Sequence, residues 1–172
     1  SGTGSFNIST ATAFVLASDE RLAVAKHGNK AVSSLSGSAD VLSELGVTIT
    51  APLKTMEAAI NELGIGFLFA PNFHPAMKHA AGIRRALGIR TIFNLLGPLT
   101  NPAGADYQLM GVFAPDLPSK IAEVLGSLGS RKAWVVHGSD GVDELTITGP
   151  SKVAEWDGSQ VNNFEISPED VG

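Results

Sequence analysis

Basic, amide and hydroxyl side chains are concentrated in one short stretch of the sequence, between Lys26 and Asp40. Lys26 offers a point charge, Asn29 an amide donor and acceptor, and the serines and backbone N–H groups neutral donors. The apolar run 22–25 predicts a buried strand directly before them, and ligands of open α/β sheets bind at the carboxyl ends of strands. The composition therefore indicates a site for a phosphorylated sugar. The alternative is a solvated turn that caps the next helix through Ser38.

A second polar segment, residues 2–10, lies directly before a predicted helix. Ser9 and Thr10 are favourable N-cap residues for a helix that runs through Leu16. The N–H groups at a helix N-terminus carry a partial positive charge and bind phosphate groups readily. Asn7 can add a further side-chain hydrogen bond. The same residues also fit an ordinary capped helix that binds nothing.

Two adjacent carboxylates, Asp143 and Glu144, follow a glycine-containing loop after the apolar run 133–136. Magnesium prefers oxygen ligands and often bridges protein carboxylates and substrate phosphates. The pair is therefore a candidate magnesium site, and a solvated acidic turn is the alternative. No Cys or multi-His cluster in the sequence indicates zinc.

One cation, Arg84, falls on the apolar face of a helix predicted to begin at Pro75. The small and apolar residues three, four and seven positions before it share that face: Ala81, Ala80 and Met77. A cation there needs a partner, and a guanidinium pairs with a planar carboxylate through two parallel hydrogen bonds. The alternative is an arginine whose stem covers apolar surface while its head reaches water.

The composition is that of a globular chain. The 172 residues are 44% hydrophobic and 17% charged, which is enough for one domain with a core. No apolar run approaches the roughly 20 residues needed to span a bilayer. Cysteine is absent, which excludes disulfides and disfavours a small secreted scaffold. The formal net charge of −5 disfavours extensive nucleic-acid binding.

Predicted helices and strands alternate along the chain, which indicates an α/β fold with a largely parallel sheet and helices on both faces. A terminal hairpin about Asp157-Gly158 is expected to add antiparallel strands. Asn94–Pro102 is expected to be a proline-rich loop, either a wall of the substrate entry or a rigid connector. The predicted elements are helices 11–16, 38–45, 52–63, 75–87 and 117–128, and strands 22–25, 66–70, 107–113, 133–136, 151–156 and 160–166.

Four ordered segments resemble the anthranilate phosphoribosyltransferase family: FNISTATAF at 6–14, KHGNKAVSSLSGSAD at 26–40, RRALGIRTIFNLLGPLTNP at 84–102 and HGSDGVDEL at 137–145. Four motifs in one order are far more specific than a single glycine pattern. The resemblance implies the catalytic α/β domain shared with the pyrimidine nucleoside phosphorylases. It also implies transfer of a phosphoribosyl group from phosphoribosyl pyrophosphate (PRPP) to the amine of anthranilate, in tryptophan biosynthesis.

The resemblance assigns roles to the residues of both polar segments. It implies PRPP contacts at Gly2, Ser5, Asn7, Ile8, Ser9, Thr10, Lys26, His27, Gly28, Asn29, Lys30, Ala31, Val32, Ser33, Ser34 and Ser38. It implies anthranilate contacts at Asn29, Arg84 and His27. It implies that Mg²⁺, the expected cofactor, is held by Ser9, Asp143 and Glu144. No residue is assigned as a catalytic acid or base.

The resemblance further implies that residues 1–172 are a partial catalytic domain. The family's N-terminal helical domain, the start of its GTGGD loop and its C-terminal helices are expected to be absent, and Ser1 stands where the family has Asp. We expect small-molecule substrates, no nucleic-acid or membrane partner, and a homodimer of the intact enzyme. We expect a cytoplasmic location, with a plastid location left open because the true N-terminus is absent.

Two other functions stay open at this point. The first is a nucleoside phosphorylase-like enzyme, which uses phosphate instead of an amine. The combination of KHGN, Arg84 and the Asp143-Glu144 pair argues against it, because that set suits a metal-bound diphosphate and a carboxylate. The second is a non-catalytic relative that binds nucleic acid, which the net charge of −5 disfavours.

Overall fold

The computed structural model describes residues 7–31, 37–87 and 91–172. In these ranges the α-helices are α1 (Ile8–Ala17), α2 (Ser38–Glu44), α3 (Leu53–Leu63), α4 (Ala70–Phe73), α5 (Lys78–Leu87), α6 (Phe93–Leu99) and α7 (Pro118–Ser127). The strands are β1 (Val24–Gly28), β2 (Ile65–Phe69), β3 (Tyr107–Gly111), β4 (Lys132–Gly138), β5 (Ser151–Trp156) and β6 (Val161–Ile166). The predicted α/β class is confirmed, and no helix in the described ranges is long and apolar enough to cross a membrane.

Contacts divide the chain into two compact units, the N-terminal unit (Gly2–Ala103) and the C-terminal unit (Gly104–Gly172). In the N-terminal unit, β1 and β2 pair in parallel along their whole length. Helix α3 leads into β2 through Gly64, whose φ of +73° lets the helix end in a left-handed cap. Buried side chains of α2 and β2 form a small cluster with two half-buried neighbours: Ala39, Leu42, Phe67, Ile49 and Phe69.

The C-terminal unit contains a four-stranded mixed sheet in the order β3-β4-β5-β6. β3 and β4 are parallel and are joined through α7, whereas β5 and β6 continue the sheet as antiparallel strands. One face of α7 is buried, with Ile121, Ala122 and Leu125 at helical spacing. Leu125, Val135 and Ala154 are fully buried. The predicted terminal hairpin about Asp157-Gly158 is confirmed.

The first strand lies later in the sequence than predicted. The apolar run indicated residues 22–25, whereas β1 is Val24–Gly28 and the side chain of Leu22 is 44% exposed. Pairing with β2 continues through Lys26 and His27, because backbone hydrogen bonds to a neighbouring strand do not depend on apolar side chains. The first residues of the polar stretch are therefore held in a sheet.

Two other local predictions were wrong. The N-cap of α1 is Asn7 instead of Ser9 or Thr10, since its side chain already supplies the capping oxygen. Residues 94–102, expected to be a loop, contain most of α6, and Pro98 lies in its last turns. Asn94 Oδ1 accepts a hydrogen bond from the Thr91 N–H at 2.9 Å, which closes the start of that helix.

Candidate functional site

The side chain of Lys26 joins β1 to the start of α1. Its Nζ donates a hydrogen bond to Ser9 Oγ at 2.7 Å, across 17 positions of sequence. An ammonium group beside a helix N-terminus places two sources of positive potential together, and both favour a bound anion. The structure therefore brings together two of the segments that the resemblance assigns to PRPP.

Helix α1 begins with a side-chain cap that determines which of its groups face outward. Asn7 Oδ1 accepts a hydrogen bond from the Thr10 N–H at 2.9 Å. The hydroxyl of Thr10 is buried and has no hydrogen-bond partner in the described part of the chain. The backbone amides of Ile8 and Ser9 lie in the first turn, where helix geometry supplies no internal acceptor. Those two amides are thus better placed to bind an anion than the Thr10 side chain.

Ser9 is also the residue that the resemblance assigns to magnesium. Its hydroxyl oxygen has two lone pairs, one of which accepts from Lys26. A metal ion on the same oxygen would be repelled by the nearby ammonium group. A magnesium ion at Ser9 therefore requires a diphosphate to neutralise both cations, or a different orientation of Lys26.

One carboxylate fixes both ends of the segment that follows β1. Asp40 Oδ2 accepts a hydrogen bond from the Ala31 N–H at 2.8 Å and another from the Gly37 N–H at 3.1 Å. Asn29 Oδ1 accepts from the Lys30 N–H at 2.8 Å, so the amide nitrogen of Asn29 is the group it can offer to a ligand. The sequence reasoning missed Asp40. Its signal is an acidic residue in the first turn of α2.

Gly28, at the end of β1, packs closely against two other elements. A Cβ atom there would lie 2.9 Å from the Phe67 ring and 3.2 Å from Ser38 Cβ. Any larger residue would force the Phe67 ring to shift and would crowd Ser38, the first residue of α2. Gly28 and Ser38, both assigned to PRPP by the resemblance, are thus neighbours in the fold.

His27, on β1, faces His74, which directly follows α4. Their Nε2 atoms are 3.3 Å apart and the rings meet edge to face, and Thr100 Oγ1 lies 3.3 Å from the His74 Nε2. Partial burial and, secondly, the neighbouring His74 lower the pKa of His27 from 6.5 to about 4. His27 is therefore neutral at neutral pH, and it offers one nitrogen donor and one acceptor.

Asn101 connects the segment 94–102, which was expected to be a proline-rich loop, to β1. Asn101 Nδ2 donates a hydrogen bond to the Ala25 carbonyl oxygen at 3.0 Å, across 76 positions of sequence. The segment thus has a structural role at β1. Of the two roles considered for it, this contact favours the rigid connector.

Several predicted site residues lie outside the described residues: Gly2, Ser5, Val32, Ser33 and Ser34. Arg84 is on α5, and its side chain is likewise outside the described part of the structure. The roles assigned to these residues stay predictions.

The acidic pair lies in the loop between β4 and β5, and both residues are half-buried. Asp140 organises this loop by accepting hydrogen bonds from the Thr146 Oγ1 at 2.6 Å, the Thr148 Oγ1 at 2.9 Å and the Val142 N–H at 3.3 Å. The hydrogen bond from Thr146 is the main cause that lowers the pKa of Asp140, so its carboxylate is ionised. Local hydrogen bonds thus determine the path of the chain on both sides of the pair.

Gly111, the last residue of β3, provides the surface on which the acidic loop rests. A Cβ atom at this position would overlap the backbone carbonyl of Asp143. Only a residue without a side chain permits this approach between strand and loop. The sequence reasoning missed Gly111, because a glycine at a strand end carries no signal of its partner 32 positions away (143 − 111).

The donor chemistry of the loop fits magnesium. Carboxylate and hydroxyl oxygens are the hard ligands that Mg²⁺ prefers, and it typically keeps substrate oxygens and water in its remaining positions. No group of three or more His, Cys, Asp or Glu residues in the described ranges could hold a metal by itself. Two adjacent carboxylates therefore suit a metal that is bound together with a phosphorylated ligand.

The chain belongs to the glycosyl transferase family, a/b domain, whose profile matches residues 1–172. Within that family it is similar to proteins named anthranilate phosphoribosyltransferase. One from Moorella thermoacetica is 58% identical over 99% of this chain and 50% of the relative. One from Rhodospirillum rubrum is 60% identical over 98% of this chain and 48% of the relative. The chain thus spans about half the length of the curated relatives it matches.

Solved structures of anthranilate phosphoribosyltransferases have the same fold. The protein from Thermus thermophilus is 51% identical with a TM-score of 0.88, covering 100% of this chain and 51% of that one. The protein from Saccharomyces cerevisiae, solved in complex with PRPP and Mg, is 32% identical with a TM-score of 0.85, covering 97% and 46%. The resemblance noted in the sequence and the fold class inferred from it are confirmed.

Proposed function

We propose that this chain is the catalytic α/β part of a longer anthranilate phosphoribosyltransferase. The enzyme transfers the phosphoribosyl group of PRPP to the amine of anthranilate, giving N-(5-phosphoribosyl)anthranilate and pyrophosphate. Residues 1–172 then contribute the PRPP-binding segments and the acidic pair, and the intact enzyme is a homodimer.

The observation that carries the proposal is the hydrogen bond from Lys26 Nζ to Ser9 Oγ. It joins two segments whose composition separately indicated phosphate binding and which the resemblance assigns to PRPP, and it places an ammonium group at the N-terminus of α1. A neutral ligand would gain little from this arrangement, whereas a diphosphate gains from both the charge and the free amides. The similar protein from Saccharomyces cerevisiae, solved with PRPP and Mg, supports the same ligand.

The reaction separates charge, and the residues are matched to that separation. As the C1–O bond of PRPP breaks, negative charge develops on the departing diphosphate and the ribose becomes oxocarbenium-like. Lys26 and the first amides of α1 stabilise the diphosphate. The anthranilate nitrogen forms the new bond to C1 and releases its proton to water, while pyrophosphate leaves.

Asp143, Glu144 and Ser9 are the residues that would hold magnesium. When bound, the ion supplies a Lewis acid that neutralises charge on the diphosphate oxygens. The carboxylates would orient the ligand by holding the ion, and the half-buried positions of Asp143 and Glu144 limit their freedom. Asp143 and Glu144 are adjacent, and in the described ranges they are not part of a group of three or more metal-binding side chains. This favours a metal ion that binds together with the substrate.

Anthranilate is already a nucleophile, so the acceptor side needs orientation more than proton abstraction. His27 is suited to this role because the lowered pKa keeps it neutral beside a cationic ribose. Asn29 offers its amide nitrogen, and Arg84 on α5 is proposed to pair with the anthranilate carboxylate.

A pyrophosphate-release assay on the complete protein tests the proposal. Release should require PRPP, anthranilate and Mg²⁺ together. Benzoate, which has the carboxylate without the amine, should give no release and should compete with anthranilate. Phosphate-dependent cleavage of a nucleoside, without any response to anthranilate, would instead establish the phosphorylase-like alternative.

A further inference from the structure

We propose that Asp140 and Gly111 are positioning residues that hold the Asp143–Glu144 pair in its metal-binding arrangement. Neither residue needs to touch the metal or the substrate. The inference rests on the proposed function and deepens it, because it names the residues on which the magnesium affinity of the acidic pair depends.

Asp140 ties the chain together on both sides of the pair. Its Oδ1 accepts from the N–H of Val142, the residue directly before the pair. Its Oδ2 accepts from the hydroxyls of Thr146 and Thr148, which follow the pair. Both carboxylate oxygens are therefore engaged inside the loop, and these bonds close the chain around residues 143 and 144.

The same loop is closed by backbone and hydroxyl contacts at its two ends. The Gly138 N–H donates to the Val142 carbonyl oxygen at 2.9 Å, and the Thr146 N–H donates to Ser151 Oγ at 2.9 Å. Gly138 and Ser151 belong to β4 and β5, which pair in the sheet. The loop is thus a folded extension of two strands, with Asp140 at its centre.

Gly111 acts through a different contact, with the backbone of Asp143. The absence of a side chain lets the Asp143 backbone rest directly on the end of β3. An added methyl group would have to displace that backbone, and the carboxylate of Asp143 would move with it. Asp140 therefore sets the shape of the loop, and Gly111 sets its distance from the sheet.

Positioning matters here because magnesium accepts little variation in ligand geometry. A site built from two protein carboxylates cannot replace a misplaced one. Residues that orient metal ligands without touching the metal typically contribute about 10- to 100-fold in metal affinity or activity. We expect an effect of that size from the loss of the Asp140 hydrogen bonds.

The test compares variants of the complete protein by two measurements. The first is the Mg²⁺ concentration that gives half-maximal turnover. The second is calorimetric Mg²⁺ binding with saturating PRPP and no anthranilate. The variants are Asp140→Ala, Asp140→Asn and the double variant Thr146→Val with Thr148→Val.

Asp157→Ala is the matched control. Asp157 organises the β5–β6 turn in the same unit, where it accepts from the N–H and Oγ of Ser159, the Gln160 N–H and the Asn162 Nδ2. Its loss should lower the melting temperature comparably and leave Mg²⁺ affinity unchanged. It therefore separates loss of loop position from loss of stability.

We expect Asp140→Ala and the double threonine variant each to weaken Mg²⁺ binding by about 10- to 100-fold. Asp140→Asn should recover most of that loss, because an amide oxygen still accepts from the two hydroxyls. KM for anthranilate should not change in any of these variants. Gly111→Ala should weaken Mg²⁺ binding in the same way if it folds.

Two results would overturn the proposal. If Asp140→Ala binds Mg²⁺ like the wild type, the loop does not need Asp140. If Asp140→Asn is as defective as Asp140→Ala, the charge of Asp140 matters more than its hydrogen bonds. A wild type that fails to bind Mg²⁺ and PRPP, or fails to respond to anthranilate, counts against the proposed function itself. That failure is visible before any variant is made.

Discussion

The two units of the molecule hold their candidate site residues by different means. Among the described residues, the shorter C-terminal unit has ten buried apolar side chains and the N-terminal unit has six. The shape of the acidic loop in the C-terminal unit is set by hydrogen bonds within about ten residues, centred on Asp140. The N-terminal unit also has local contacts, but the side chains of Lys26 and His27 are held by distant residues, Ser9 and His74.

This difference predicts how substitutions in each unit will act. A loop fixed by local hydrogen bonds on a well-packed sheet can lose its carboxylates without losing the fold, so the effect falls on catalysis. Site residues that depend on long-range contacts in a sparsely packed unit affect ligand binding and stability together.

The largest effect is expected from the acidic pair. Asp143→Asn combined with Glu144→Gln should lower turnover by orders of magnitude and raise the Mg²⁺ requirement, with little change in melting temperature. Asp116→Asn, which removes an exposed ion pair with Lys120 in the same unit, is the control and should be near normal. Wild-type-like Mg²⁺ dependence in the double variant would refute the metal assignment.

A smaller but selective effect is expected at Arg84, on α5 of the N-terminal unit. Loss of a charged, partly desolvated pair typically costs about 2–5 kcal/mol. Arg84→Ala should therefore raise KM for anthranilate by at least about 30-fold and leave KM for PRPP nearly unchanged. Arg84→Lys should recover only part, since an ammonium cannot make the planar fork.

The neighbouring residue gives a matched control for that experiment. Arg85→Ala removes the same type of side chain from the next position of the helix, and residues one position apart on a helix do not share a face. Steady-state kinetics that vary each substrate separately distinguish the two. Unchanged anthranilate saturation in Arg84→Ala would show that the acceptor binds elsewhere.

Lys26→Ala should weaken PRPP binding by about tenfold or more, because a charge-assisted hydrogen bond contributes about 1.5–3 kcal/mol. Anthranilate binding should change much less. The same substitution also removes the contact with Ser9, so a modest loss of stability should accompany it. Lys54→Ala, at an exposed position of α3, is the control, and calorimetric titration of both ligands is the measurement. Equal losses for the two ligands would count against the assignment.

The smallest effect is a pH dependence of stability at His27. Its pKa is about 4 in the folded protein and 6.5 as a free side chain, so the unfolded state binds more protons between these values. The neutral, partly buried His27 therefore contributes fully to the free energy of unfolding above pH 6.5. This contribution is lost as the pH falls toward 4. Because His27 is only partly buried, we expect a loss of about 1 kcal/mol.

Urea unfolding at pH 7.5 and pH 5 measures this contribution. His27→Gln should show a smaller difference between the two pH values than the wild type. His79→Gln, at an exposed position of α5, should behave as the wild type. An equal pH difference in His27→Gln would show that the burial of this histidine contributes nothing measurable.

Local chemistry allowed much of the fold to be predicted from the sequence. Gly46 and Gly64 follow the ends of α2 and α3 with positive φ, as their positions after helical patterns indicated. The hairpin about Asp157-Gly158 was predicted from its turn residues and alternating flanks. In each case the signal and its consequence lie within a few residues.

The missed features depend on contacts between distant segments. The extension of β1 through Lys26 and His27 requires β2, which lies about 40 residues later. The role of Gly111 becomes visible only when the acidic loop rests on the end of β3. The residue types identified the candidate chemistry, whereas the residues that position it could be recognised only from the tertiary structure.

Identification of the reaction product is the decisive test of the proposed transfer of a phosphoribosyl group to anthranilate. The complete protein is incubated with PRPP, Mg²⁺ and anthranilate labelled with nitrogen-15 at the amine, and the products are analysed by mass spectrometry. We expect one labelled product containing both anthranilate and ribose phosphate, with an equal amount of pyrophosphate. Unlabelled ribose 5-phosphate as the only sugar product, with anthranilate unchanged, would rule out the proposed transfer.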